Sequence, residues 1–238
     1  MTITSTDNRK LKEVRKLRMR RRWRERSGRF VAEGEDLLAA ADAAGWTAVE
    51  RYSAAGSGLE GVEVDAKLLA SASGIGSGTR TLAVYEQRWA PLPLGPLCVY
   101  LHGVHDPGNV GAVLRGAQAF GASSVALGPG SADPFGPKAV RASMGAVFAV
   151  PLTRVHDVAQ LPGEKIALVP GDGVPLHELA VTQAEATLLI GAERDGLPGQ
   201  LAAEADHTAH IPIATDSLNA AMAATVAMYE LAHRMGRR

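Results

Sequence analysis

Residues 97–128, LCVYLHGVHDPGNVGAVLRGAQAFGASSVALG, decide the fold class. CVYLHGV is an apolar run without polar alternation, as expected of a strand covered on both faces. From Asn109 to Gly121 the apolar residues Val110, Val113, Leu114, Ala117 and Phe120 recur at three- and four-residue intervals, which predicts a helix with one buried stripe. Asn109 is a good N-cap for it and Gly121 a good C-terminal stop. SSVALG is a second apolar strand. The alternation continues outward: GPKAVRASMG reads as a helix, AVFAVPL, KIALVPG, TLLIGAE and HTAHIPI as strands, and the stretch from Ser217 to Met235 as a long helix. Apolar strands interleaved with helices predict an α/β fold whose carboxyl-terminal part is a mostly parallel sheet with helices on both faces. In such sheets ligands bind beyond the carboxyl ends of the strands.

Upstream, WAPLPLGP (residues 89–96) holds three prolines in eight residues and reads as a linker. It separates a sheet domain over residues 97–238 from a smaller α/β domain over residues 1–88. In the latter, RFVAEG, TAVERYS, GVEVDA and TLAVYEQ read as strands, and EDLLAAADAAG as a helix ending at Gly45. The tract SASGIGSGT (residues 71–79) reads as a flexible turn. Its Gly74, Gly76 and Gly78 have GxGxG spacing but do not stand between a strand and an opening helix, so a dinucleotide fingerprint is rejected.

The 238 residues have room for one or two domains, and 46% hydrophobic residues suffice for a core. The formal net charge of +0 hides a segregation. Residues 1–30 carry twelve Lys/Arg against three Asp/Glu, and the remainder thirteen against twenty-two. A basic head on an acidic body points to a polyanionic partner at one end. Arg20, Arg21, Arg22, Arg24 and Arg29 are the candidate RNA contacts, with Trp23 and Phe30 among them. A solvated basic helix is the plain alternative. The single cysteine, Cys98, excludes an intramolecular disulfide and a Cys-cluster zinc site, and its apolar neighbours predict a buried thiol. No stretch approaches the roughly 18 apolar residues of a membrane helix, and Asp7, Glu13 and Glu25 count against a transit peptide. A cytoplasmic protein without a membrane partner is expected.

Three segments carry candidate chemistry. Arg115 lies off the buried stripe of its helix, and its planar guanidinium suits a phosphate or ribose oxygen. Taken alone, it is an ordinary surface arginine. In LLIGAERDGLPG (residues 188–199) an apolar strand runs into Gly191, Glu193, Arg194 and Gly196, where glycines let the backbone approach a ligand. Glu193 could hold a cationic or hydroxyl group there; alone, the segment is a charged turn. In IPIATDSLNAAMAATVAMYELAHRM (residues 211–235) no charge falls between Ser217 and Tyr229, so this helix belongs in the core or at a subunit interface. Ser217 and Asn219 stand at its N-terminus, where free N–H groups converge, and simple capping is the alternative. His102, His105 and Asp106 lack a further ligand cluster at fixed spacing, so no metal is expected. No G-x-S-x-G elbow accompanies Ser217, His207 and His210, which opposes a hydrolase.

Taken in order, N-V-G-A-V-L-R-G-A-Q-A-F-G, L-I-G-A-E-R-D-G-L and I-P-I-A-T-D-S-L-N resemble the three motifs of the SpoU (TrmH-like) branch of the SPOUT RNA methyltransferases. The amino-terminal part has Ser5, Asn8, a Lys/Arg-rich helix and R-E-R-S-G-R-F-V-A-E-G (residues 24–34). It is similar to the substrate-binding domain that precedes this core in many members. The resemblance implies a trefoil knot, S-adenosylmethionine as cofactor, and 2′-O-ribose methylation of RNA, ribosomal RNA ahead of transfer RNA. It also implies a homodimer through the last helix. Cofactor walls are implied at Gly191, Ala192, Gly196, Ile211, Ile213 and Leu218, and a catalytic set at Asn109, Arg115, Glu193, Ser217 and Asn219. Ala192 departs from the family, where Asn or Ser is frequent. Arginine stays protonated and is a poor general base, so Arg115 is expected to orient the hydroxyl and a phosphate. A transfer-RNA 2′-O-methyltransferase, a ribosomal-RNA resistance methyltransferase and an RNA-binding protein without catalysis are the alternatives. The missing fingerprint opposes a nicotinamide-dependent oxidoreductase.

Overall fold

The computed structural model describes residues 2–74 and 78–236, so Gly76 and the middle of the glycine tract lie outside the described residues. The chain begins with α1 (Arg9–Met19), α2 (Arg21–Ser27), β1 (Arg29–Glu33), α3 (Glu35–Ala43), β2 (Glu50–Ala54), β3 (Val62–Val64), α4 (Ala66–Ala72) and β4 (Thr81–Glu86). Helix α1 forms where Asn8 accepts hydrogen bonds from the Lys10 and Leu11 N–H groups. Its Leu11, Val14 and Leu17 share one face and are fully buried. The four strands form a sheet of order β1-β4-β2-β3, antiparallel except between β2 and β3. The basic head is therefore not a detachable arm, because one face of α1 is core.

The second part comprises β5 (Leu97–Leu101), α5 (Pro107–Ala119), β6 (Ser124–Leu127), α6 (Pro137–Ala142), α7 (Ala146–Ala149), β7 (Leu152–Arg154), β8 (Glu164–Leu168), β9 (Val174–Pro175), β10 (Ala186–Ile190), α8 (Gly199–Ala203), β11 (His207–His210) and α9 (Ala220–Arg234). Seven strands lie in the order β7-β6-β5-β10-β8-β11-β9, each pair parallel. The chain builds outward from β5 to β7, then returns to the other side of β5. Strands β5 and β10 flank that reversal, which is where such sheets open a crevice beyond their carboxyl ends.

Three local expectations need correction. AVFAVPL is not one strand: Ala146–Ala149 is helix α7 and only Leu152–Arg154 joins the sheet. A short apolar run carries no periodicity that separates buried helix from buried strand. Helix α5 is capped by Asp106 rather than Asn109, with Pro107 in its first turn and the Asp106 Oδ1 accepting from the Gly108 and Asn109 N–H groups. Helix α9 starts at Ala220 with Asn219 as its cap, which leaves Ser217 in the preceding loop.

The two sheets share a core. Phe30, Trp46 and Tyr85 meet Phe135 and Phe148, with Phe30–Phe135 ring centroids 4.7 Å apart and Trp46–Phe148 centroids 5.2 Å apart. The Trp46 Nε1–H donates to the Phe148 carbonyl at 2.8 Å. Residues 89–96 cross between the sheets under restraint: the Ala90 N–H donates to the Leu152 carbonyl at 2.7 Å. Arg24, expected on the RNA surface, is buried at 6% exposure. Its Nε meets Asp133 at 2.7 Å and its Nη1 donates to the Leu17 and Arg18 carbonyls. Buried and paired with a carboxylate, this guanidinium ties α1 and α2 to the loop between β6 and α6 instead of presenting a free charge on the surface. Arg20, Arg21 and Arg22 are exposed, and Arg29 is half-exposed beside Glu13.

Candidate active site

Strand β10 runs into Gly191, and the chain then folds back in a tight hairpin. Ala192 and Gly196 exchange two backbone hydrogen bonds of 3.0 Å, with Gly196 at φ 66°. The fold-back is so close that a Cβ on Gly191 would lie 2.1 Å from the Gly196 carbonyl carbon and 2.2 Å from the Leu197 nitrogen. This hairpin, the loops leaving β8 and β11, and the start of α9 enclose a cleft of about 170 Å³. Gly191, Ala192, Gly196, Ile211, Ile213 and Leu218, the six expected cofactor residues, all lie on its walls. Leu168, Val169 and Pro170 form a further wall that the motifs did not indicate. Their loop enters the site because β8 neighbours β10, an adjacency that no local pattern encodes.

The rim is polar and directional. The Asn219 Oδ1 accepts from the Ala221 and Met222 N–H groups at 3.0 and 3.3 Å, as a cap must. Its Nδ2 therefore points outward and donates to the Asn109 Oδ1 at 3.1 Å. That contact in turn aims the Asn109 Nδ2 at the Glu193 Oε1, 2.7 Å away. Segments 84 and 110 residues apart in sequence are joined at one corner. Ser217 lies on the same rim, and the Thr215 Oγ1 donates to its carbonyl at 3.4 Å.

Arg115 stands apart from this corner. It lies six residues beyond Asn109, about 9 Å along the helix axis. It is exposed and absent from the cleft walls, and among the described residues no hydrogen bond or ion pair holds it.

Two of the residues weighed as metal ligands, Asp106 and His102, have polar partners within the chain. Lys138, with its Nζ 2.7 Å from Asp106, holds that carboxyl below the usual range, helped by the Gly108 and Asn109 N–H groups. Desolvation lowers the His102 pKa, and its Nδ1 is 3.1 Å from the Tyr100 hydroxyl. Among the described residues no group of three His, Cys, Asp or Glu could hold a metal. Burial pushes the Cys98 thiol up to about 11, which keeps it protonated and unreactive. No described helix is long and apolar enough to cross a membrane.

A model of the SpoU rRNA Methylase family matches residues 96–229, and one of an MRM3-like substrate binding domain matches residues 8–85. An rRNA methyltransferase of Sinorhizobium meliloti, solved with AdoMet bound, is 31% identical, with a TM-score of 0.88 over 98% of this chain and 97% of that one. The SpoU methyltransferase AviRb of Streptomyces viridochromogenes, in complex with AdoMet, is 27% identical, with a TM-score of 0.85 over 97% and 100% of the two chains. The 23S rRNA (guanosine(2553)-2′-O)-methyltransferase of Bacillus subtilis is 32% identical over 55% of this chain and 56% of its own. The chain spans from about a third to about half the length of several curated relatives that it matches.

Proposed function

The chain belongs to the SpoU rRNA methylase family, with its knotted α/β fold, and from that premise we propose that it transfers a methyl group from S-adenosylmethionine to a ribose 2′-hydroxyl of RNA, ribosomal RNA ahead of transfer RNA. The observation that carries this reading is the chain Asn219–Asn109–Glu193 at the mouth of an apolar cleft pinned by Gly191. Walls of Leu168, Ile190, Ile211 and Leu218 suit an adenine ring, and the bare backbone around Gly191 brings peptide donors and acceptors close to its edge. When bound, the cofactor supplies an electrophilic methyl group. The residues of the chain then have to position the nucleophile, about 3–3.5 Å away and in line. Glu193, with one oxygen fixed by Asn109, accepts a hydrogen bond from a ribose hydroxyl through the other. Ser217 and Asn219 bracket the ribose or the cofactor carboxylate, and Arg115 orients the neighbouring phosphate.

Arg115 reaches that ribose most simply in a homodimer. Met222, Val226 and Tyr229 form one apolar stripe on α9 and are 59%, 43% and 57% exposed. Phe120, the residue that ends α5, meets Tyr229 with centroids 5.7 Å apart, so the carboxyl end of α5 borders this surface. A second copy covering the stripe brings Arg115 to the seam between subunits. Val226→Glu is expected to give a monomer in analytical ultracentrifugation and to abolish methyl transfer. A dimer that persisted with Glu there would exclude this stripe as the interface.

The exposed arginines of α2 supply the electrostatic grip on RNA. Arg22 and Arg26 stand one turn apart, and no described carboxylate pairs with either. Charge reversal at both is expected to flatten the plot of log affinity against log salt by about two. An unchanged slope would leave α2 as merely solvated. The activity itself is tested with labelled S-adenosylmethionine and unmodified ribosomal RNA, followed by mapping of the labelled nucleotide. Label on a ribose 2′-oxygen is expected; cofactor binding without any transfer would sink the reading.

A further inference from the structure

Four clefts at the carboxyl edge of the parallel sheet share walls. The cofactor cleft shares Glu193 and Arg194 with a groove bordered by His105 and Pro107. Those two residues also line a cleft that reaches Arg21 and Lys138. That cleft shares Arg21 and the loop from Gly130 to Asp133 with a last one, which ends on Trp89, Arg154 and His156. The result is one trench from the cofactor cleft to the junction with the amino-terminal sheet. Its walls are held by the Arg24–Asp133 pair and by the Phe30–Phe135 contact.

Most cations along the trench are already neutralised: Arg21 by Glu25, Arg24 by Asp133 and Lys138 by Asp106. Arg154, like Arg194 at the cofactor end, is not. It is exposed, no carboxylate pairs with it among the described residues, and its guanidinium lies over the Trp89 ring at 4.3 Å. Trp89 is itself fixed, edge-on to Phe135 at 5.2 Å and donating from Nε1 to the Gln87 side chain at 3.3 Å. A guanidinium held over an aromatic ring and exposed to solvent keeps N–H groups available, which suits contact with a base and donation to a phosphate.

We propose that the trench carries the RNA strand away from the reacting ribose and that the Trp89–Arg154 pair is a nucleotide subsite at its far end. This rests on RNA being the substrate. Three strand spacings separate β7, which bears Arg154, from β10, about 14 Å in all, so the subsite grips a nucleotide a few positions from the methylated one.

The test uses the full chain with in-vitro-transcribed, unmodified ribosomal RNA. Arg154→Ala is expected to lower kcat/KM for RNA about tenfold, through KM, with S-adenosylmethionine affinity and Tm unchanged. Arg154→Glu lowers it further, and Arg154→Lys recovers little because an ammonium cannot stack flat. Wild-type KM in Arg154→Glu would overturn the subsite while leaving the activity standing. Failure of the wild-type chain to methylate any ribosomal RNA would instead remove the functional reading, and the subsite with it.

Discussion

Arg115→Ala is expected to lower single-turnover methyl transfer by about 10²–10³-fold, or about 3–4 kcal/mol, while cofactor affinity holds within about twofold. The two halves of this expectation have separate physical grounds. Arg115 is absent from the walls of the cofactor cleft, so its removal takes nothing from the bound cofactor. It is exposed and unheld among the described residues, so the fold loses no buried contact and stability should move by less than about 0.5 kcal/mol. A guanidinium is far too weak a base to take the ribose proton at neutral pH, which leaves Arg115 an electrostatic and orienting role. Such a role needs the planar fork as well as the charge, and Arg115→Lys should therefore recover only part of the rate. Calorimetry for the cofactor and a rapid-quench assay for transfer separate the two effects. Near-normal transfer by Arg115→Ala would remove this residue from the mechanism.

The elements most legible in the sequence are those specified by neighbours in the chain. The stripe of Val110, Val113, Leu114 and Ala117 is wholly buried on α5, while Gly191, expected to let the backbone approach a ligand, lies against the backbone of its own hairpin. Where two local signals compete, the finer one decides: D-P-G-N offers two capping residues, and proline at the first helical position favours Asp106. What depends on distant parts of the chain is hidden. A count of charges treats Arg24 like Arg22, because the carboxylate that buries Arg24 lies 109 residues away. The wall at Leu168–Pro170 follows from β8 standing beside β10, out of chain order. The three motifs suggest a single polar cluster, yet Arg115 faces solvent while Asn109 joins Glu193 and Asn219, since six residues on a helix turn a side chain by about 240°.

Gly191→Ala is the substitution expected to do the most harm for the fewest atoms. The backbone at Gly191 has no positive φ, so conformational freedom is not what the position needs. It needs space: the added Cβ would meet the Gly196 carbonyl carbon at 2.1 Å and the Leu197 nitrogen at 2.2 Å, both backbone atoms that no rotamer change can move. Relief requires either opening the 192–196 hairpin, which breaks its two 3.0 Å hydrogen bonds, or sliding β10 against β5 and β8. The first displaces Glu193 from Asn109, and the second misaligns the cleft wall. Overpacking of about 1–3 kcal/mol together with two hydrogen bonds of about 1 kcal/mol each predicts a Tm lower by roughly 10 °C, and S-adenosylmethionine binding too weak for calorimetry. Gly196→Ala is the control. That glycine has φ 66°, but an added Cβ there would meet nothing within 4 Å, so the change should cost only left-handed strain of about 1–2 kcal/mol and keep measurable binding. Equal damage from the two substitutions would mean that backbone closeness at Gly191 is not what shapes the cleft.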